Sequence, residues 1–490
     1  TAQNILEVSM NAMLRRMGLK KLAWTITTAA FFATALTGVS SPSLAQTLQA
    51  NESTASDTID GISIEDLSML TLLGGGDERQ DALDKLVARG NLDIAPTLVM
   101  FMRLGGEFRP MAEALQKLTG TKIDTWRDAM LWQEAHPEVV PHATYRKLKL
   151  RFLNAIDENF EQFFDPKYTS REQMKIRLEE ITWGGVKVDG IPSLDNPKLI
   201  KASKAKYLIP SDLVFGVEIN GDARAYPLRI MGWHEMFNDV IGGVPVALAY
   251  CTLCGAGILF ETQTDQFKKP LVFGSSGFLY RSNKLMFDRT TKTLWNQFTG
   301  EPVAGKLVDK NVKLKIRPVT ITSWEEWNKE HPDTKVLSLK TGHKRNYGSG
   351  VVYNEYFSSP DLMFPTIVRD ESQLQRKDFI FGIREFGAAK AWPVEAFRKR
   401  KVINDTIGAT NVVLIGNADT RTVRAYERGD VSFENGASSS DLKSNDGDWK
   451  VTEDFLIGPN GKKFARVSGH VAYWFAWDSY LGVKSELYSG

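Results

Sequence analysis

A segment that occurs twice decides the predicted fold of the C-terminal region: residues 216–228 read GVEINGDARAYPL, and residues 382–394 read GIREFGAAKAWPV. The segments align without a gap, and the same register continues as far as Phe260 in the first copy and Tyr426 in the second. Short β-branched and aromatic runs separated by Gly, Asn and Asp indicate strands joined by tight turns. The repeat therefore predicts a duplicated, mainly β region.

Upstream of the repeat the pattern changes from β to α. Apolar residues recur at helical spacing, as in Ala82, Leu83, Leu86 and Val87. A chain of 490 residues is long enough for two or three domains. We therefore expect an α+β protein made of an α-helical module at 63–182, a first β-rich unit at 183–345, a connector at 346–374 and a second β-rich unit at 375–490.

The N-terminal segment has the pattern of a secretory signal peptide. A basic region at residues 15–21 precedes a largely apolar stretch at residues 22–39, and Ser43 and Ala45 are small residues at the positions that a signal peptidase requires. This pattern predicts upstream residues and a signal peptide at 1–45, followed by a flexible leader at 46–62. We expect an exported protein, periplasmic or extracellular, without a membrane span in the mature chain.

The charge balance limits the classes of partner. The chain has 61 basic and 59 acidic residues, and no basic stripe is visible along the sequence. Nucleic-acid surfaces show a clustered basic excess, so no nucleic-acid partner is expected. A small molecule or a protein partner is left open.

The only two cysteines, Cys251 and Cys254, lie three apart between two apolar, strand-like runs, and His234 is the nearest additional soft ligand upstream. At the equivalent positions the second copy has Asn417, Thr420 and Arg400. Residues that both copies share are predicted to have structural roles, and residues found in one copy alone are predicted to form the functional site. Thiolates and imidazole suit copper and zinc. We therefore predict a mononuclear copper or zinc site on Cys251, Cys254 and His234.

Further candidates lie in the same half. Glu235 and Asp288 are base candidates if the metal is zinc carrying an activated water. Four residues are predicted to line a pocket beside the cysteines: Arg281, Asn283, Trp295 and Gln297. By contrast, Asn238 and Asp239 recur in the second copy as Asn404 and Asp405, which predicts a turn role for them.

These residues also carry a family resemblance. Trp233-His234-Glu235, Tyr250–Gly255, Asp288-Arg289 and Trp295-x-Gln297 resemble the signatures of the DUF3179 family, a widespread family of exported prokaryotic proteins. The resemblance spans roughly residues 180–490. The family usually has Pro within Cys-x-x-Cys, where this chain has Thr252. The resemblance implies no activity, so the function has to be argued from the site.

Three classes of function remain open from the sequence. The first is a metal-dependent redox or hydrolytic enzyme or a copper-handling protein. The second is a non-enzymatic periplasmic binding scaffold. The third is a thiol-disulfide oxidoreductase, although Gly255-Ala256-Gly257 makes a poor first helical turn for a thioredoxin-like motif.

Overall fold

The computed structural model describes residues 58–105, 109–369, 371–438 and 440–490. The predicted signal peptide at 1–45 and most of the predicted leader lie outside these residues. The chain divides into two compact units: one comprises the residues up to Ala129 together with Glu138–Glu158, and the other comprises Met130–Pro137 together with Asn159–Gly490.

The first unit is helical. A short hairpin of Thr58–Ile59 and Ile62–Ser63 precedes the helices Ile64–Leu73, Gly76–Ala88, Ala95–Gly105, Arg109–Thr119 and Thr144–Ile156. The Ser63 side chain accepts a hydrogen bond from the Asp66 backbone N–H and so caps the first helix. Ala82 and Leu86 pack with Ile64, Leu67 and Ile94 in one apolar cluster. Helical spacing thus places the apolar residues on the buried side.

Further helices are short. The α-helices are Trp126–Ala135, Leu228–His234, Trp324–Glu330, Asn354–Ser358 and Trp474–Leu481. The 3-10 turns are Leu92–Ile94, Glu158–Phe163, Leu178–Glu180, Ala202–Lys204, Thr252–Cys254, Val394–Arg398, Pro459–Gly461 and Gly482–Lys484. Within the described ranges, no helix is long and apolar enough to cross a membrane.

The second unit is built on mainly antiparallel sheets. Three of them have five strands each. In spatial order, the strands of the first sheet are Ile316–Arg317, Ala256–Glu261, Val244–Cys251, Met236–Ile241 and Leu194–Asp195. Those of the second sheet are Glu301–Ala304, Leu294–Asn296, Asn283–Asp288, Phe273–Tyr280 and Ile181–Trp183. Those of the third sheet are Thr320–Ser323, Leu213–Ile219, Asp222–Pro227, Lys335–Leu337 and Leu199–Lys201.

Two further sheets complete this unit. One has the order Gly469–Tyr473, Phe379–Glu385, Ala388–Pro393 and Glu486–Leu487. The other has the order Val402–Ile407, Thr410–Asn417, Thr422–Glu427, Lys463–Val467, Phe455–Ile457, Gly447–Val451, Asp441–Ser444 and Glu434–Asn435. The chain is an α+β protein.

Strands of the two β-rich halves correspond in position. Leu213–Ile219 and Phe379–Glu385 begin and end at residue numbers that differ by 166, and so do Val244–Cys251 and Thr410–Asn417. Their inner residues form one apolar core, in which Phe215 and Leu248 of the first half lie with Phe381 and Leu414 of the second. The two halves are therefore held together by a shared interior.

Each half also contains a tryptophan packed on a glycine. A Cβ atom at Gly216 would lie 2.2 Å from Cε3 of Trp327, and one at Gly382 would lie 2.0 Å from Cζ3 of Trp477. Both contacts are far below van der Waals distance, so only glycine fits beneath either indole ring.

Candidate dithiol site

The two cysteines lie at the end of a β-hairpin. Cys251 ends the strand Val244–Cys251, residues Thr252–Cys254 form one 3-10 turn, and Gly255 has a φ of 60°. The next strand starts with Ala256, which pairs with Cys251. Glycine has no Cβ atom and adopts the left-handed conformation without strain. Gly255 therefore allows the chain to reverse direction directly after the cysteines.

Gln297 holds the two strands together beside the turn. Its Nε2 donates to the backbone carbonyl of Ala249 at 2.8 Å and to that of Ala256 at 3.2 Å. One side chain therefore bridges both strands where the hairpin ends. This contact fixes the backbone from which the thiols project.

Both cysteines are unbridged and buried, with 2% of Cys251 and none of Cys254 exposed. The Cys251 thiol donates to the sulfur of Cys254, and the two Sγ atoms lie 3.0 Å apart. The Cys254 thiol lies 3.2 Å from Asn283 Oδ1 and 3.5 Å from the Ser282 carbonyl oxygen. The pair therefore forms a compact dithiol with carbonyl-type oxygens on one side.

Ser282 and Asn283 reach Cys254 because of a second hairpin. Tyr280 pairs with Asn283, so that Arg281 and Ser282 form a two-residue loop with φ values of 48° and 65°. Two successive left-handed residues are typical of a type I′ turn, which usually contains glycine or asparagine. The strained turn places the Ser282 carbonyl and the Asn283 side chain beside the dithiol.

Burial determines the protonation of the second thiol. Desolvation raises the pKa of Cys254 well above its ordinary value, and the adjacent Cys251 sulfur and the charge of Glu235 raise it further. A thiolate at this position needs a compensating positive charge. Cys254 is therefore a neutral thiol at neutral pH.

Glu235 contacts the middle of the cysteine turn. Its carboxylate accepts hydrogen bonds from Thr252 Oγ1 at 2.8 Å and Tyr353 Oη at 3.2 Å, and it forms a buried ion pair with Lys284 Nζ at 3.1 Å. These contacts occupy the carboxylate. Glu235 thus supports the turn, and three protein groups contact its carboxylate.

His234 is directed toward other partners. Its Nδ1 lies 2.8 Å from the Pro192 carbonyl oxygen, and its Nε2 lies 2.6 Å from Tyr347 Oη. Desolvation lowers its pKa to about 4, and the positive charge of Arg345 contributes while the bond to Pro192 opposes. The ring is therefore neutral, with Nδ1 donating and Nε2 accepting. Both of its nitrogens are already engaged by protein groups.

The three predicted metal ligands do not form one cluster. Within the described part of the chain, one group of three or more His, Cys, Asp or Glu residues has its ligand atoms within 4.8 Å of one another, and it consists of Glu330, His331 and Glu453. His234 ends a helix immediately before Glu235, whose carbonyl accepts a hydrogen bond from the Tyr250 N–H at 2.8 Å, so the backbone runs beside the cysteine strand while the ring contacts Pro192 and Tyr347. Cys251 and Cys254 lie together without it.

The other predicted site residues are divided between the dithiol and the scaffold. Asn283 contacts Cys254, and Gln297 braces its hairpin. Asp288 instead accepts hydrogen bonds from Thr291 and from Trp295 Nε1 at 3.0 Å, which closes a turn. Asp288 and Trp295 are thus committed to a buried structural contact.

Arg281 belongs to a separate ion-pair group. It lies 3.2 Å from Glu180 and 3.8 Å from Glu134 and also donates to the Ser479 carbonyl oxygen. Arg281, Glu180 and Glu134 line a cavity of about 20 Å³, which is room for a single water molecule. Desolvation raises the pKa of Glu134 to about 7. Arg281 is therefore a turn residue whose side chain neutralises buried carboxylates.

Comparison with known proteins identifies the family. The model of the DUF3179 family, described as a protein of unknown function, matches residues 188–483. The chain belongs to the DUF3179 family. No curated protein and no solved structure matches the chain. Residues 188–483, the DUF3179 region, include most of both halves of the β-rich part and every residue of the dithiol site.

Several tyrosines complete the dithiol site in the DUF3179 region. Tyr356 Oη donates to the Leu253 carbonyl oxygen at 2.7 Å, and Tyr353 contacts Glu235 as described. Burial raises the pKa of Tyr480 well above its ordinary value, and the neighbouring Cys254 raises it further. Tyr353 and Tyr356 come from the connector and Tyr480 from the last helix. No local sequence pattern marks these residues, because tertiary contacts bring them to the cysteines.

Two buried polar atoms of the loop that contacts Cys254, Ser282 Oγ and Asn283 Nδ2, have no close hydrogen-bond partner among the residues that the structure describes, and the Asn283 side chain also interacts with the Tyr480 hydroxyl. Buried polar atoms in folded proteins nearly always have a partner. The Asn283 amide, whose oxygen contacts Cys254, therefore has hydrogen-bonding capacity left beside the thiols.

The cluster of Glu330, His331 and Glu453 has different electrostatics. Arg424 forms ion pairs with Glu330 at 2.6 Å and with Glu453 at 2.7 Å, and Arg466 pairs with Glu453 at 3.0 Å. Two arginines already neutralise the carboxylates. The cluster is therefore a salt-bridge network whose carboxylates already have positively charged partners.

Proposed function

We propose that the DUF3179 region binds one copper(I) ion between Cys251 and Cys254. The observation that carries the proposal is a pair of buried, unbridged thiols with Sγ atoms 3.0 Å apart beside the Asn283 amide oxygen. Thiolates are soft donors that select copper(I) and zinc. Zinc takes four ligands at a structural site and three at a catalytic site, and two thiols with an amide oxygen fit a low-coordinate cuprous ion better.

An ion bound by both thiolates requires the two sulfurs to move apart. With metal–sulfur bonds of about 2.3 Å, the sulfur separation is about 3.8 Å at a tetrahedral angle and about 4.6 Å in a linear site, against the observed 3.0 Å. Rotation of the two cysteine side chains would have to supply this movement. The ion would replace the thiol protons, which supplies the positive charge that a thiolate at Cys254 requires. Copper binding is therefore expected to strengthen as the pH rises.

This proposal changes the site that the sequence suggests. His234 is a structural residue in it, since both ring nitrogens have protein partners. A zinc hydrolase is less well supported, because Glu235 and Asp288 are both engaged by protein donors. The chemistry best supported is copper transfer or electron transfer by an exported protein.

Two features of the wider protein belong to the same proposal. The basic and apolar pattern of residues 15–45 supports export. The common offset of 166 between strand bounds in the two halves supports an origin by duplication, after which only the first copy has the thiols. Export would bring the dithiol to a compartment in which copper is handled outside the cytosol.

The test is an anaerobic titration of the reduced mature protein with copper(I) in competition with bicinchoninate. We expect one copper(I) ion per chain, and we expect Cys251→Ser and Cys254→Ser to lose it. His234→Gln is the matched variant, because it should retain copper if the histidine is structural. Loss of copper by all three variants would indicate that His234 is a ligand together with both cysteines. Absence of copper binding by the reduced protein would overturn the proposal. Parallel titration with zinc identifies the preferred ion.

A second candidate is favoured by the distance between the sulfurs. An S–S bond is about 2.05 Å long, so closing the 3.0 Å gap requires about 1 Å of movement. In this reaction the dithiol passes two electrons and two protons to a small disulfide such as oxidised glutathione, which becomes two thiols. Alkylation and mass measurement across a glutathione redox series distinguish this candidate: a reversible loss of two hydrogens per chain with no bound copper supports it.

A further inference from the structure

A cavity adjoins the dithiol hairpin on the side of Gly255. Its volume is about 190 Å³, and its aromatic walls include Tyr250, Phe357, Phe379 and Tyr473. A cavity of about 150 Å³ lined by apolar side chains holds a benzene molecule. This cavity therefore has room for a single six-membered ring that carries one small substituent.

The cavity lies where two corresponding turns meet. Gly255 follows the cysteine turn of the first half, and Arg421 is 166 residues further along, at the same position in the second half. Both line the cavity, and both are left-handed, with φ values of 60° and 55°. A left-handed arginine is strained, and such residues cluster at functional sites.

Arg421 brings an uncompensated charge to the cavity. Its guanidinium lies 4.0 Å from the centre of the Phe379 ring, and within the described ranges it has neither an ion pair nor a side-chain hydrogen bond. The other charged residues that line the cavity, Asp212 and Arg229, neutralise each other at 2.9 Å. The cavity therefore carries one net positive charge.

Two tyrosine hydroxyls add hydrogen-bonding capacity. Tyr250 is 5% exposed and Tyr473 is 4% exposed, and neither hydroxyl has a hydrogen-bond partner in the described part of the chain. Burial raises the pKa of both tyrosines, and the charge of Arg421 opposes the rise. The hydroxyls are therefore neutral donors that share a cavity with the unpaired guanidinium. Neither hydroxyl is among the fully enclosed polar atoms, so both face the open space of the cavity, where a bound ligand can accept their hydrogen bonds.

We propose that this cavity binds a small aromatic carboxylate, with the ring between the aromatic walls and the carboxylate on Arg421 and the hydroxyls of Tyr250 and Tyr473. A guanidinium pairs with a carboxylate in a planar, two-point contact, and tyrosine hydroxyls donate to the remaining lone pairs. Mostly apolar walls with a few convergent polar groups are the usual composition of a small-molecule site. The proposal is independent of copper, since neither cysteine lines the cavity.

Calorimetric titration of the mature protein with benzoate tests the proposal. We expect binding at one site per chain, about tenfold or more weaker binding of benzamide, and no measurable binding of acetate, which lacks the ring. Arg421→Gln should weaken the binding of benzoate by about tenfold or more and should leave the binding of benzamide unchanged. Gln has the same backbone requirement as Arg at this left-handed position, so the strain is matched.

Two further variants keep the test decisive. Tyr473→Phe retains the ring and removes only the hydroxyl, so it should weaken benzoate even if Arg421→Gln does not fold. Arg398→Gln is the matched control, because Arg398 pairs with Glu395 and Asp419 and does not line the cavity. Cys251→Ser should bind benzoate normally, which separates this proposal from the copper site. Equal binding of benzoate and benzamide, or benzoate binding unchanged in both Arg421→Gln and Tyr473→Phe, would overturn it.

Discussion

The turn Cys251–Gly255 and the turn Asn417–Arg421 occupy corresponding places in the two halves, yet their side chains have different partners. In the second turn, Asn417 Nδ2 and Thr420 Oγ1 donate to the Glu326 carboxylate at 2.9 and 3.1 Å. In the first turn, Cys251 and Cys254 contact chiefly each other. The turn of the second half thus binds a carboxylate of a neighbouring helix, whereas the corresponding turn of the first half carries two unbridged thiols.

This comparison separates framework from chemistry without reference to other proteins. Gly216 with Trp327 and Gly382 with Trp477 are the same contact in each half. The dithiol, the Glu235–Lys284 ion pair and the buried His234 belong to the first half alone. The second half is therefore an internal control for experiments on the first.

The largest effect is expected from the buried ion pair. Lys284→Met leaves the Glu235 carboxylate buried without its counter-charge, and such changes cost about 3–5 kcal/mol of unfolding free energy. Urea denaturation measures this loss. The double variant with Glu235→Gln should recover much of it, because no uncompensated charge remains. Lys401 is exposed and stands at the position of the second half that corresponds to Glu235, so Lys401→Met should change stability by less than about 0.5 kcal/mol. If Lys284→Met and Lys401→Met lowered the unfolding free energy by similar amounts, the ion pair would not be a special feature of the first half.

A pH-dependent effect of intermediate size is expected from His234. Its pKa is about 4 in the folded protein and 6.5 ordinarily, so the folded state favours the neutral ring. The neutral ring's contribution to the unfolding free energy is fully present above pH 6.5. It is lost as the pH falls toward 4, by about 3 kcal/mol in total. Urea denaturation of the native protein and of His234→Gln at pH 7.5, 5.5 and 4.5 isolates this group. The stability difference between the two proteins should shrink on acidification, and a constant difference would count against a neutral buried imidazole. Arg400→Gln, at the corresponding exposed position, is the control.

The smallest effects test the equivalence of the two halves directly. Gly216→Ala and Gly382→Ala each force a methyl group against an indole ring, and overpacking of this kind typically costs about 1–3 kcal/mol. Thermal or urea denaturation should give similar losses for the two variants. Copper binding should be retained in the folded fraction of both. A large loss for one and none for the other would show that the halves do not share this contact.

Local sequence patterns predicted much of the framework but fewer of the site contacts. Asn238 and Asp239, interpreted as turn residues, lie in the strand Met236–Ile241: Asn238 bonds to the Phe273 backbone, and Asp239 pairs with Arg224. The turn prediction was wrong because these side chains link neighbouring segments, a role that Asn and Asp can also take within strands. The repeat still indicated correctly that they serve the scaffold.

The sequence placed Cys251 and Cys254 together, because three-residue spacing before a left-handed glycine leaves little alternative. It also indicated that Asn283 and Gln297 lie near them. The direction of the His234 ring was decided by Pro192 and Tyr347, and the tyrosines around the thiols come from segments about a hundred or more residues away. Periodicity and short spacing fix local geometry because they act within a few bonds. The partners of a buried ring or thiol depend on which distant segments share the interior, and only tertiary packing determines that.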